Sequence, residues 1–458
     1  MGARAETTSA APREVRDVYG RHYRIGESAE QLTAHSRRHQ LWRAWLCLAA
    51  ISPLQYAFGF AVLGLPAAST WGGVQTMWLL ALFVVVQAGT AVPAAWLNRR
   101  RLITPAVAVV SGGVLAAAGL ASLAHADSFA LAAFGYAGLG GVGAGLVYSM
   151  GVATAADWYP EKRASVIGLV TGGFAVGAVP GIAALAAVSS AGGRVLVFDV
   201  LAAVALLVVT VAGSGLVEPP RFWWPGEIDA QSWAIDHHLN RSLPNNVPAV
   251  RDYAPSDALR TGALPLMWLI FALATAVSLF GIGFVGGAAV DGGLGVAAAA
   301  AAVAALAAVS GVGRPVAARL SDSFGRSRVL AHVLLLAGVA QFGLALSGHL
   351  GSTAGFVLFA VVAGLGGGAF YAIFGSLVLE YFGQSSVLQN QSVLYSAKAV
   401  GGIAGVGGGA LLVSRLDYPP VFVIAGVLAI GAAGLVRFLK QPGRPALPVR
   451  PQRGVGMC

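Results

Sequence analysis

The chain has 458 residues, 57% hydrophobic and only 10% charged, with a formal net charge of +10. Ordinary soluble domains carry about 25% charged residues, so water is not the main solvent of this chain. Apolar stretches of about 17–25 residues, enough helix to cross a hydrocarbon core of roughly 30 Å, recur along it. Runs such as 294–308 lack the period-two alternation of a membrane β-barrel, which excludes that architecture.

The chain opens on a polar, Arg-rich tail, residues 1–42. It has no short apolar core followed by a small-residue cleavage site, so the first span itself is expected to act as the signal. Six spans, helices 1 to 6, are predicted at 43–66, 73–97, 103–125, 128–156, 164–188 and 195–217. A polar segment at 218–262, with Pro219-Pro220, Trp223-Trp224 and Asn245-Asn246, is unacceptable to a bilayer and reads as a linker. Helices 7 to 12 follow at 263–288, 293–320, 328–347, 352–379, 387–413 and 419–438, before a final tail, 439–458. The expectation is an all-α membrane protein of twelve transmembrane helices, with six-helix bundles at 43–217 and 263–438. Parts of the tail and linker are expected to be disordered.

Of the 29 Lys and Arg residues, 25 fall in segments that share one side if the helices alternate, and only Arg194 and Arg415 fall in opposite loops. This is the positive-inside asymmetry, which puts both termini and the linker in the cytoplasm and makes the basic balance a matter of topology, not of nucleic-acid binding. Cys47 and Cys458 are too few and too differently placed for a disulfide or metal site. No metal-ligand cluster, nucleotide loop or nucleophile with a paired base is found, so neither an enzyme nor a cofactor is expected.

The halves repeat. Gly141-Val-Gly143-Ala-Gly145-Leu-Val-Tyr148 in helix 4 matches Gly364-Leu-Gly366-Gly-Gly368-Ala-Phe-Tyr371 in helix 10, and Asp157-Trp158-Tyr159 matches Glu380-Tyr381-Phe382 at the same offset. Parallel repeats joined by a linker form a substrate site near the midplane. Helices 5 and 11 are rich in glycine, including Gly168, Gly172, Gly402 and Gly405, as a sliding interface between halves can use, although glycine abounds throughout the chain.

Two basic residues remain inside the spans, Arg314 in helix 8 and Lys398 in helix 11. At about 1.5 Å per residue they reach similar depths, a little to the basic side of the midplane. A basic group there costs about 2.5–3.5 kcal/mol by insertion scales and should face a cavity or a partner. Asp157, Asp199 and Glu380 sit toward span ends, so the missing negative charge is best supplied by a substrate, with the Arg fork suited to a carboxylate. Three alternatives stay open: Arg314 snorkelling to the surface, Lys398 deprotonated by burial, or either bonded to carbonyls of a Gly-rich helix.

At these residues the chain resembles the oxalate/formate antiporter family of the major facilitator superfamily, over essentially all twelve helices. The likeness is carried by Gly313-Arg314-Pro315 running into Leu320-Ser321-Asp322-Ser323-Phe324-Gly325-Arg326, by the turn Trp158-Tyr159-Pro160-Glu161-Lys162-Arg163, and by Tyr395-Ser396-Ala397-Lys398. After helix 2 the loop motif is reduced to Asn98-Arg99-Arg100-Arg101, without the usual acid. The resemblance implies a 6+6 pseudo-twofold major facilitator fold. It assigns substrate binding to Arg314 and Lys398 with Gln55, Tyr56, Tyr148, Tyr371, Phe174 and Tyr395 around them. Asp322, Gly325, Arg326, Asp157, Arg163 and Glu380 are carried over as gating or structural groups. Gly367 stands where an oxalate carrier is expected to have a large aromatic, implying a roomier cavity.

The function expected is a secondary carrier for a small organic carboxylate, working as a monomer by alternating access in the lipid bilayer of a bacterial inner membrane. Exchange and proton coupling are both open. The alternatives are a proton-driven drug exporter, whose helix 5 signature is partly matched by Gly168, Gly177, Pro180 and Gly181, and a membrane sensor that binds ligand without moving it.

Overall fold

The structure, a computed structural model, describes residues 13–64, 71–188 and 191–443; Cys458 and Arg4, Arg444, Arg450 and Arg453 lie outside them. Among the described residues eleven helices are long and apolar enough to span a membrane. Helices 2 and 3 run Gly73–Arg99 and Pro105–His125, helices 4 and 5 Phe129–Asp157 and Pro160–Ala187, and helix 6 Ala191–Gly213. Helices 7 to 10 are Ala263–Asp291, Val296–Phe324, Arg326–His349 and Thr353–Phe382; helices 11 and 12 are Val387–Leu416 and Tyr418–Phe438.

Helix 1 departs from the single predicted span. It begins earlier than residue 43 and comes in pieces, Arg37–Ala50, Pro53–Tyr56 and Phe58–Ala61, ending in the tight turn Val62–Gly64. The cause is local. Pro53 brings no N–H to the ladder, and its ring obstructs the preceding turn. At the break Ser52 Oγ donates to the carbonyl of Phe174 at 2.8 Å, and Gln55 and Tyr56, which follow it, are buried.

Packing repeats with the sequence. Helix 2 packs on 4, 3 on 4, 3 on 6, 1 on 5 and 1 on 6; in the other half 8 packs on 10, 9 on 10, 9 on 12, 7 on 11 and 7 on 12. Contacts between halves are paired the same way, helix 5 with 8 and helix 11 with 2. A pseudo-twofold axis relating two six-helix bundles accounts for all of these. Glycines set the closest approaches. A Cβ on Gly172 would stand 2.5 Å from the Gly311 carbonyl oxygen of helix 8, whereas Gly173 and Gly177 face helix 1 of their own half, so helix 5 uses only part of its glycine for the interface between halves.

Among the described residues the tail, from residue 13, and the linker are folded against each other; residues 1–12, on which the expectation of disorder also fell, lie outside them. Strands β1 (Arg13–Arg16) and β2 (His22–Ile25) form an antiparallel hairpin, which a short helix, Ala29–Thr33, follows. Arg24 docks on the linker through bonds to the Phe222 carbonyl (2.7 Å) and from the Trp224 N–H (2.9 Å), and Tyr23, Trp224 and Ala230 close a small apolar core. The linker grips both halves. Trp223 packs edge-on against Trp158, centroids 5.0 Å apart, while Asn246 donates to the carbonyls of Ser321 and Asp322 and accepts from Arg326 N.

Candidate substrate site

Arg314 and Lys398 meet between the halves, each only 1% exposed. Arg314 does not snorkel. Its Nη1 donates to the Thr171 carbonyl of helix 5 and its Nη2 to Tyr56 Oη, both at 2.6 Å. Tyr56 Oη lies 3.2 Å from Ser310 Oγ, and the Tyr371 ring lies 5.0 Å from the guanidinium carbon. Carbonyl bonding, one of the alternatives left open, is thus half met: Arg314 uses one backbone carbonyl of a glycine-rich helix, but Lys398 uses none. Lys398 Nζ donates to Gln55 Oε1 (2.8 Å), Gln87 Oε1 (2.5 Å) and Tyr395 Oη (3.2 Å). Four rings, Tyr148, Phe174, Tyr371 and Tyr395, surround its ammonium at 5.4–6.0 Å.

Among the described residues no carboxylate pairs with either cation. Asp199 bonds His125, Asp157 bonds Arg163, and Glu380 bonds Arg326. A buried charge stripped of water needs compensation, and neutral acceptors give only part of it. All the acceptors that bond Arg314, and both glutamines that bond Lys398, belong to helices 1, 2 and 5. Both cations of the C-terminal half are therefore fastened to the N-terminal half.

Sequence reasoning missed Gln87, Thr171 and Ser310. Gln87 is fully buried, and its Nε2 has no hydrogen-bond partner. A lone glutamine midway along helix 2 was the available signal, since a polar side chain at that depth marks a pathway or a partner. Thr171 was not readable, because it acts through its backbone oxygen.

On the side that carries the linker, a cleft of about 1380 Å³ opens between the halves, lined by Ala153 and Ala164 of one half, Ser376 and Leu388 of the other, and Trp223 of the linker. Between cleft and cations, Tyr148 of helix 4 stacks on Tyr395 of helix 11, centroids 5.3 Å apart and planes at 23°. The far side is closed by close approaches at glycines. A Cβ on Gly59 of helix 1 would meet the Gly283 carbonyl oxygen of helix 7 at 2.5 Å, and one on Gly402 of helix 11 would meet Val84 of helix 2 at 2.7 Å.

The remaining predicted residues form two groups beside the cleft. Arg326 bridges Asp322 and Glu380, each at 2.7 Å, and Gly325 makes the tight link between helices 8 and 9 at φ +92°, where a Cβ is strained. In the other half Arg163 pairs with Asp157 at 2.7 Å. The half-reduced motif after helix 2 has a substitute acid: Asn98 donates to Glu218 of the linker at 3.3 Å. Burial raises the Glu218 carboxyl above its ordinary range, with Asp157 adding to the rise and Asn98 and Arg101 opposing it.

Two bundles related by a pseudo-twofold axis, a cleft opening to one side and a charged site at their interface define a membrane carrier. The Major Facilitator Superfamily model matches residues 44–354 and 266–456, and the chain belongs to that family of transporters. Over 346 residues it is 24% identical to the oxalate:formate antiporter of Oxalobacter formigenes, covering 74% of this chain and 77% of the relative. It is 29% identical over 298 residues to an uncharacterized 38 kDa protein of Thermoproteus tenax, covering 64% and 66%, and 23% identical over 301 residues to the uncharacterized transporter YhjX of Escherichia coli, covering 64% and 68%. The human organic anion transporter MFSD10 shares the fold, with a TM-score of 0.60 at 16% identity over 90% of this chain and all of that one.

Proposed function

We propose that the protein carries a small organic carboxylate across a bacterial inner membrane by alternating access, with the anion held between Arg314 and Lys398. The observation that carries this reading is the pair itself: two buried cations that share the Tyr371 ring, with no carboxylate of the described chain beside them. A carboxylate would accept charge-assisted bonds from both and offset their mutual repulsion. The relative from Oxalobacter formigenes is named for anions of this class, which supports the same reading. An apolar cation, as a drug exporter would take, meets two positive charges instead.

On this reading the halves are 43–217 and 263–438, the linker side faces the cytoplasm, and the carrier works as a monomer. The Tyr148–Tyr395 stack is the cytoplasmic lid, and the helix 1–7 and 2–11 contacts are the outer closure. Exchange and proton coupling are separated by one experiment. Labelled mono- and dicarboxylates are offered to proteoliposomes, preloaded or not with the same anion, with or without a pH gradient. Uptake that needs preload marks an exchanger, and uptake driven by the gradient marks proton coupling; uptake of no carboxylate by folded protein would overturn the reading.

A further inference from the structure

Helices 7 to 10 enclose a second, small cavity of about 10 Å³, room for a single water-sized group. Its polar lining is Ser278, Ser310 and Gln341; Leu306 and Ala337 are among its apolar walls, and Gly367 borders it. Gln341 is 2% exposed and its Oε1 accepts no hydrogen bond. Buried amide oxygens are ordinarily satisfied, so this one calls for a donor.

Two short routes join the cavity to the Arg314 guanidinium. Along one, Ser310 Oγ lies 3.2 Å from Tyr56 Oη, which accepts from Arg314. Along the other, the Tyr371 ring beside Arg314 carries a buried hydroxyl with no hydrogen-bond partner, and Ser278 Oγ in the cavity wall donates to the Gly367 carbonyl at 2.8 Å. Gly367 brings no side chain into the space beside Ser278. Even a Cβ there would stand 3.3 Å from Ser278 Oγ.

We propose that this cavity is a subsite that receives the hydroxyl group of a hydroxy-substituted carboxylate, whose O–H donates to Gln341 Oε1 while its carboxylate lies on Arg314. The inference rests on the reading of Arg314 and Lys398 as a carboxylate site and narrows its substrate class. The orphan atom is an acceptor, so the incoming group must donate. An ammonium donor would enter against two cations, and the space admits one heavy atom, which leaves a hydroxyl.

The test compares matched anions in binding and exchange by the full-length protein in proteoliposomes: malate against succinate, and lactate against propionate. The hydroxy acid of each pair is expected to bind at least tenfold more tightly. Gln341→Leu should abolish that preference while leaving succinate and propionate unchanged, and Gly367→Ala, a milder change that crowds Ser278, should weaken it. Equal affinities within each pair of the wild-type protein overturn the subsite. So does a preference that survives folded Gln341→Leu, which would make the cavity the seat of a structural water. Arg314-dependent exchange of all four anions without preference sinks the subsite alone; binding of none sinks the carboxylate reading and the subsite together.

Discussion

Replacing Lys398 with glutamine separates a substrate cation from a structural one. The ammonium makes bonds of 2.8 and 2.5 Å to Gln55 and Gln87, and a glutamine amide at position 398 can donate to the same carbonyls. It also removes a buried positive charge from beside Arg314, so the folded protein should lose no stability. On the proposed reading the carboxylate, by contrast, loses its charge-assisted partner. At about 1.5–3 kcal/mol per bond to a charged group, two such bonds amount to roughly 3–6 kcal/mol, or at least a hundredfold in affinity. The assay is anion exchange in proteoliposomes alongside thermal unfolding of the same preparation. Exchange within about threefold of wild type would refute the assignment; lost exchange with a sharply lowered unfolding temperature would make Lys398 a structural tie.

Tyr148→Ala removes one ring of the stack between cleft and cations; at about 0.5–1.5 kcal/mol for the aromatic pair, the linker-side opening should become up to about tenfold more populated. Faster thiol labelling of Thr171→Cys from that side, in a background lacking Cys47 and Cys458, is the expected result, and unchanged labelling counts against the lid. Glu380→Gln deprives Arg326, 6% exposed, of one of its two carboxylates and should lower stability by about 1–3 kcal/mol in thermal unfolding. For Glu218 the sign follows from its raised pKa: the folded state holds the proton more tightly than the unfolded one, so this group's stabilising contribution is present at acid pH and lost as pH rises through the raised value. Glu218→Gln should therefore raise the unfolding temperature at pH 7, and the difference should fade on acidification; a difference that grew on acidification would contradict the assignment.

What was legible in the sequence was whatever leaves a local or charged trace. Apolar length marked the spans, and a repeated glycine pattern marked the two halves. Arg314 and Lys398 stood out because a full charge is conspicuous in an apolar run. Gln87 did not, being neutral and single, although it holds Lys398 as closely as Gln55 does. The stack of Tyr148 on Tyr395 joins residues of different halves, and no periodicity along either helix foretells it. The tail and linker were harder still. Arg24 and Tyr23 find Phe222 and Trp224 across about two hundred residues of membrane-spanning chain, so each segment by itself looks like solvated loop.

The same geometry explains how binding can be tied to movement. Arg314 holds helix 5 through Thr171 and helix 1 through Tyr56, while Lys398 holds helices 1 and 2 through Gln55 and Gln87. Opening the far side must draw helix 11 away from helix 2, where Gly402 lies against Val84. That movement strains the bonds that tie Lys398 to Gln55 and Gln87. A carboxylate placed between the two cations competes for the same donors, offering a charged acceptor where the protein offers neutral ones. On the proposed mechanism it releases the halves from each other while holding the two cations together, so the interface can change sides only as fast as an anion takes over the bonds that fasten it. Such a site favours exchange of one anion for another over leakage of the unloaded carrier.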